Sequence, residues 1–254
     1  TMIIGTSGRY EFKNKGINVY LEALNRLTRD KNLKKDVLAF INVPGWVGEV
    51  REDLRERLDS GKDYDTPLEC PFITHWLHNM SHDQVLDMLK YLNMSNSVDT
   101  KVKVVFVPCY LDGKDGILNE LYYDLLIGTD LSVYPSYYEP WGYTPLESIA
   151  FKVPTITTDL AGFGLWVNSL TGKNATLQDG VKVIHRTDYN YSEVADTIKD
   201  TISEFSSLTS TEINKIRKNA ANIAEKALWK HFIQYYYEAY DIALRNAAKR
   251  LSLN

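Results

Sequence analysis

The sequence predicts an α/β fold: a parallel sheet with helices on both faces, followed by a long helical tail. Three observations carry that expectation. Short apolar runs rich in β-branched residues recur at residues 2–6, 37–43, 101–108, 131–134, 155–158 and 181–184, the form taken by strands buried on both faces. Stretches of helical periodicity alternate with them, as in successive βαβ units. From residue 211 to about 249 the helical pattern continues with no further strand signal.

Each element follows from its own residues. Between the first two runs, Ile17, Tyr20, Leu21, Leu24 and Leu27 fall on one helical face and should pack on the sheet. Further helices are expected over 84–92, 118–127, 144–150 and 192–205. Residues 48–81 are the poorest in pattern, with a charged helix-like piece at 49–58 and then a polar loop, and read as an excursion from the sheet. The expected organisation is one domain over residues 1–210, carrying that excursion, and a tail over 211–254 that packs on it. Tyr235, Tyr236, Tyr237 and Tyr240 read as a half-buried face of the tail.

Composition narrows the function classes. With 254 residues, 44% of them hydrophobic, the chain can bury a full core. Its 29 basic and 33 acidic residues are interspersed and leave a net charge of −4, which disfavours nucleic acid or an anionic membrane as partner. Cys70 and Cys109 are far apart and in no metal-ligand spacing, as expected of a cytoplasmic protein rather than a disulfide scaffold. No apolar run approaches the roughly 18 residues of a membrane span, and the start, Thr1-Met2-Ile3-Ile4-Gly5, resembles a strand entered abruptly rather than a signal peptide.

In parallel sheets ligands bind at the carboxyl ends of strands, and two loops there stand out. Gly8-Arg9-Tyr10-Glu11-Phe12-Lys13-Asn14-Lys15-Gly16 places three cations between glycines, after a strand and before a helix. Such a loop can hold a diphosphate through N–H groups, helix dipole and cationic side chains. It matches no Walker A or dinucleotide pattern, and a solvated basic turn is the bland alternative. The second loop, residues 134–147, contains Tyr137, Tyr138, Glu139, Trp141, Gly142 and Tyr143, aromatic surfaces and a carboxylate suited to a sugar ring. Thr144, Pro145 and Glu147 have the spacing of a capping box with proline at the first helical position. Glu147 can therefore be a cap and nothing more; capping does not explain Glu139.

Two metal signals are set aside. Asp63-Tyr64-Asp65 lies in a polar loop with no strand before it, and His75, His78 and His82, though they could share a helix face, fit no zinc spacing. No metal or other cofactor is expected.

Both loops resemble the UDP-glucose-using glycogen synthases of animals and fungi, around Gly8-Arg9-Tyr10-Glu11 and around Tyr138-Glu139-Pro140-Trp141-Gly142-Tyr143-Thr144-Pro145. The likeness runs along nearly the whole chain, through 74–80, Ile117-Leu118, Val153-Pro154 and Gly162-Phe163-Gly164, and is closest from Val133 to Gly164. It implies a GT-B enzyme of two Rossmann-like domains facing across a cleft, of which this chain is the second. It further implies a UDP-glucose donor, a glycogen or α-glucan acceptor, and a partner in the missing N-terminal domain; homo-oligomerisation is left open. By motif, Glu139 is implied to bind hydroxyls of the transferred glucose and Glu147 the ribose, while Arg9 and Lys15 match the diphosphate-binding cations. The N–H groups of Gly142, Tyr143 and Thr144 would complete the phosphate site. Tyr122 falls where the family stacks the uracil, with Pro108 and Tyr110 along the same wall and Trp141 within the donor motif. A related transferase using ADP-glucose, or a non-catalytic nucleotide- or glycan-binding module, are the competing readings.

The chemistry calls for the same residue types. Breaking the bond from glucose C1 to phosphate leaves oxocarbenium character on the sugar and added negative charge on the diphosphate. A cation about 4 Å from a phosphate contributes roughly 4 kcal/mol at an effective dielectric near 20, before desolvation. The sequence departs from the family ahead of Trp229-Lys230. There the family's arginine cluster for glucose 6-phosphate is reduced to Lys215, Arg217 and Lys218, with Ser210, Thr211, Ile213, Asn219 and Asn222 in its place. Insensitivity to that sugar phosphate is the expectation.

Overall fold

A computed structural model of the chain describes residues 1–64 and 66–251. Six parallel strands form its sheet: β1 (Met2–Ser7), β2 (Val37–Asn42), β5 (Val102–Val107), β6 (Leu131–Val133), β7 (Thr155–Thr158) and β8 (Val181–Ile184). They lie in the order β5-β2-β1-β6-β7-β8. The chain thus builds outward from β1 on one side and then returns to build outward on the other. This is the doubly wound order whose switch point lies between β1 and β6. All six expected strands are present. The interior strands β6 and β7 are buried at every position, as a sheet covered on both faces requires.

Helix α1 (Ile17–Leu27) buries the expected face completely and packs on α7 (Tyr191–Ser207). α3 (Gln84–Tyr91) begins where Asp83 accepts from the N–H groups of Val85 and Leu86. Two helices differ from expectation. The one foreseen over 118–127 is only α4 (Tyr122–Ile127), because the Asp115 carboxylate accepts from the N–H groups of Ile117, Leu118 and Asn119 at 2.8–3.0 Å and holds that stretch as a loop. α6 (Gly162–Thr171) was not foreseen; two glycines in its first turn suppress the helical signal. Gly162 is there for packing, since a Cβ would lie 2.3 Å from the Pro140 carbonyl oxygen.

The expected helical tail consists of two helices. α8 (Ser210–Lys226) is capped by Thr209 with Glu212, packs on α5 (Tyr143–Ala150), and buries Ile216, Ala220 and Ile223. α9 (Trp229–Leu251) buries no residue, and Tyr235, Tyr236, Tyr237 and Tyr240 are exposed rather than half-buried, because no element of the described chain covers them.

The excursion forms an antiparallel pair, β3 (Val47–Val50) with β4 (His75–Leu77), and α2 (Glu52–Ser60) between them. It returns to the main sheet, where Ile73 bridges Phe106 beside β5. Arg51 holds it together. Fully buried, its guanidinium lies 4.5 Å over the Trp76 ring, donates to the carbonyls of Cys70 (2.6 Å) and Ile73 (3.4 Å), and pairs with Asp53. His75 sits on a strand and His78 and His82 beyond it, so the three share no helix face. Asp65 of the acidic loop motif lies outside the described residues.

Arg51→Ala should lower stability by about 1–3 kcal/mol, through carbonyls left without donors, in urea unfolding. The same pair predicts a pH dependence. The Arg51 guanidinium holds the Asp53 carboxyl below its ordinary range. Its contribution is therefore present above the unfolded value of roughly 3.9 and lost as pH falls through the lower folded value. Hydrogen-exchange protection in residues 51–76, taken relative to the intrinsic rate at each pH, should fall at acid pH in the wild type and be less pH-sensitive in Asp53→Asn.

Candidate functional site

The loops after β1 and β6 meet at the switch point. Gly16 has φ +70°, and a Cβ there would stand 2.0 Å from the Pro135 carbonyl oxygen, so the loops touch backbone to backbone. The Tyr137 N–H donates to the Asn14 carbonyl at 2.7 Å. This contact brings Lys15 onto Glu139 in a salt bridge whose side chains are only 14% and 18% exposed. Glu139 is held from behind as well: its N–H donates to Leu160 (3.2 Å) and its carbonyl accepts from Gly162 (3.1 Å). The Glu139 carboxylate and the Lys15 ammonium, 124 residues apart in sequence, form one unit.

The second glutamate does not cap. α5 starts at Tyr143, one residue earlier than expected, with Gly142 at φ +114° as its N-cap and no side-chain cap. Its first N–H groups have no intrahelical acceptor. Glu147 instead accepts from the Tyr123 hydroxyl at 3.1 Å, and its charge raises the Tyr123 pKa. The Tyr122 hydroxyl bonds Ser7 Oγ at 2.7 Å, and burial pushes its pKa up.

A cleft of about 550 Å³ opens along the β1 loop and the chain after β5, within the usual size of ligand pockets. It brings together Arg9, Tyr110, Tyr122 and Thr144 of the expected residues, with Tyr10 and Asn42. Arg9 is largely exposed and pairs with Glu11 at 3.1 Å. Pro108 is buried and does not line the cleft. Nor does the Trp141 ring, which packs on Phe163, Trp166 and Phe232 at centroid separations of 5.6–6.2 Å. An indole prefers that apolar cluster to an open cleft.

His75, Cys109 and Asp115 approach one another closely enough to suggest a metal centre. Their chemistry is already committed. His75 Nε2 donates to the Asp115 carbonyl at 2.7 Å and Nδ1 contacts Thr74 Oγ1, the Asp115 carboxylate takes three N–H groups, and burial pushes the Cys109 thiol up to about 12. Sequence reasoning missed Tyr123 and, after β8, Arg186; the rule that ligands gather at carboxyl ends of strands pointed to the Arg186 loop.

The family model described as glycogen synthase matches residues 54–251. The chain belongs to that family. It is 27% identical to isoform 2 of glycogen [starch] synthase from Saccharomyces cerevisiae over 304 residues, covering 96% of this chain and 43% of the yeast protein. To the liver enzyme of Homo sapiens it is 24% identical, covering 97% of this chain and 42% of that one. The chain therefore spans less than half the length of these relatives. A solved structure described as trehalose-6-phosphate from E. coli bound with UDP-2-fluoro glucose superposes with TM-score 0.54 at 13% identity, covering 94% of this chain and 44% of the other. That likeness extends the family assignment to the fold.

Gly16→Ala should test the backbone contact that unites the site. The left-handed φ and the Pro135 carbonyl both oppose a Cβ, and a loss of at least about 1–3 kcal/mol is expected in thermal or urea unfolding. Wild-type stability in that variant would mean the loops are not pressed together.

Proposed function

We propose that this chain is the donor-binding half of a retaining glucosyltransferase, a glycogen synthase that moves glucose from UDP-glucose to the non-reducing end of an α-1,4-glucan. The Lys15–Glu139 pair at the switch point carries the reading. The diphosphate would lie between Lys15, Arg9 and the free N–H groups at the start of α5, where developing negative charge meets fixed positive charge and no metal is needed. Glu139 would orient the glucose hydroxyls and favour positive charge on the ring, beside the bond that breaks. The uridine would occupy the cleft, its base on Tyr122 and its ribose on Glu147.

Lys15 is neutralised by Glu139 in the free protein. An incoming diphosphate and sugar would divide that pair's duties, the ammonium turning to phosphate as hydroxyls take up the carboxylate. The acceptor side would come from the remainder of a longer protein, since the relatives are more than twice as long as the part matched. No described helix is long and apolar enough to cross a membrane, and two free thiols suit a cytoplasmic setting. On α8, Arg217 is engaged with the Asp130 carboxylate (3.3 Å) and the Thr129 carbonyl (3.4 Å), contacts that would compete with a phosphate.

Titration of UDP against ADP tests the donor: UDP should bind more tightly, and preference for ADP would reverse the assignment. In the full-length enzyme, Glu139→Gln should suppress turnover while UDP affinity stays within about threefold. Glu147→Gln should weaken UDP by about 1.5–3 kcal/mol, and Tyr122→Ala by about 1–3 kcal/mol through lost stacking. UDP affinity untouched by both changes would place the nucleotide elsewhere. Glucose 6-phosphate should leave the transfer rate unchanged; a several-fold rise lost in Arg217→Ala would show that the reduced cluster still works.

A further inference from the structure

Arg186, on the loop after β8, is 5% exposed and has no ion-pair partner among the described residues. Its guanidinium donates to the Pro135 carbonyl, the same oxygen that presses on Gly16. A Cβ on Gly16 would also stand 2.8 Å from Arg186 Nη1, so carbonyl and guanidinium together bound the backbone next to Lys15. The guanidinium carbon lies 5.5 Å from the centre of the Tyr137 ring, two residues before Glu139. The Arg186 N–H donates to Asp159 Oδ1 at 2.9 Å, which fixes the stem of the side chain to the end of β7.

We propose that Arg186 is a positioning residue for the Lys15–Glu139 pair, acting through Pro135 and Tyr137. The inference rests on the functional reading above. Burying a cation without a counter-ion is unfavourable, and an apolar side chain would fill the same space at lower cost in desolvation. What an apolar side chain cannot do is hold a carbonyl by hydrogen bond while lying against an aromatic face, which the planar guanidinium does. Pro135 then has one orientation, Gly16 has one place to sit, and Lys15 and Glu139 approach from loops that cannot drift apart. The far side of the guanidinium borders a cavity of about 350 Å³, lined also by Lys13, Asn18 and Tyr191. That opening gives a small guanidinium ion a route to the site if the side chain is cut back.

The test uses the full-length enzyme. Arg186→Met should lower kcat on the order of 10–100-fold, the effect of misplacing reacting groups by about 1 Å, with KM for UDP-glucose changed much less. Arg186→Lys should fall between, and millimolar methylguanidinium should restore part of the Arg186→Ala rate but none of the Lys15→Ala rate. In a double-mutant cycle, Arg186→Met should add little to the loss already caused by Lys15→Ala. Should the methionine variant not fold, Arg186→Lys and the rescue decide. A folded Arg186 variant with wild-type kcat, or fully additive losses with Lys15→Ala, would overturn the proposal. A wild-type enzyme that neither binds UDP nor transfers glucose would instead overturn the functional reading.

Discussion

The contact of two backbones, Gly16 against the Pro135 carbonyl, is the constraint on which the rest of the site depends. A parallel sheet wound both ways from β1 leaves its first and fourth strands side by side in the order of the chain, and their following loops come into contact. With a side chain at position 16 the loops would be forced apart by the width of a methyl group or more. Without one, Lys15 falls within reach of Glu139. The topology therefore supplies the juxtaposition, and a single glycine sets its distance.

Several cations of the described chain stand in ion pairs. Lys15 faces Glu139, Arg9 faces Glu11, Arg217 faces Asp130, and the buried Arg51 faces Asp53. Exposed pairs of this kind contribute little to stability, whereas the Lys15–Glu139 pair is mostly desolvated and would cost several kcal/mol to break on one side. Arg186 is buried with the Pro135 carbonyl and the Tyr137 ring in place of a counter-ion, and burial lowers its pKa. A buried cation without a counter-ion thus stands where the two loops meet.

Much of this architecture is legible in the residues, and the failures have physical causes. Runs of Val, Ile and Thr announce strands because they are buried on both faces, and all six appear in the sheet. The helix at 118–121 fails because Asp115 competes for its N–H groups, a local bond that periodicity does not register. The capping box at Thr144 fails because Gly142 can take φ +114° and start the helix a turn position earlier. The two motif loops, read separately in the sequence, meet in the fold at Lys15 and Glu139. The wall position of Pro108 does not follow, since proximity along a strand end says nothing about which side a ring faces. Position at the end of β8 marks the loop of Arg186 but not the residue; its contact is with Pro135, 51 residues earlier, and only the folded chain brings them together.

The aromatic residues of the motif show how one short segment can serve two masters. Trp141 and Glu139 are two residues apart, yet they face opposite ways: the carboxylate toward Lys15, the indole into a cluster with Phe163, Trp166 and Phe232. Aromatic pairs of this geometry contribute about 0.5–1.5 kcal/mol each beyond the area they bury, and Phe232 belongs to α9, a helix with no fully buried residue of its own. Whereas α8 is anchored by its own buried residues, α9 holds to the domain through Phe232 against Trp141 and Trp166. Without α9 the Trp141 ring would lose its Phe232 face, so the otherwise exposed helix covers the side chain two residues from Glu139.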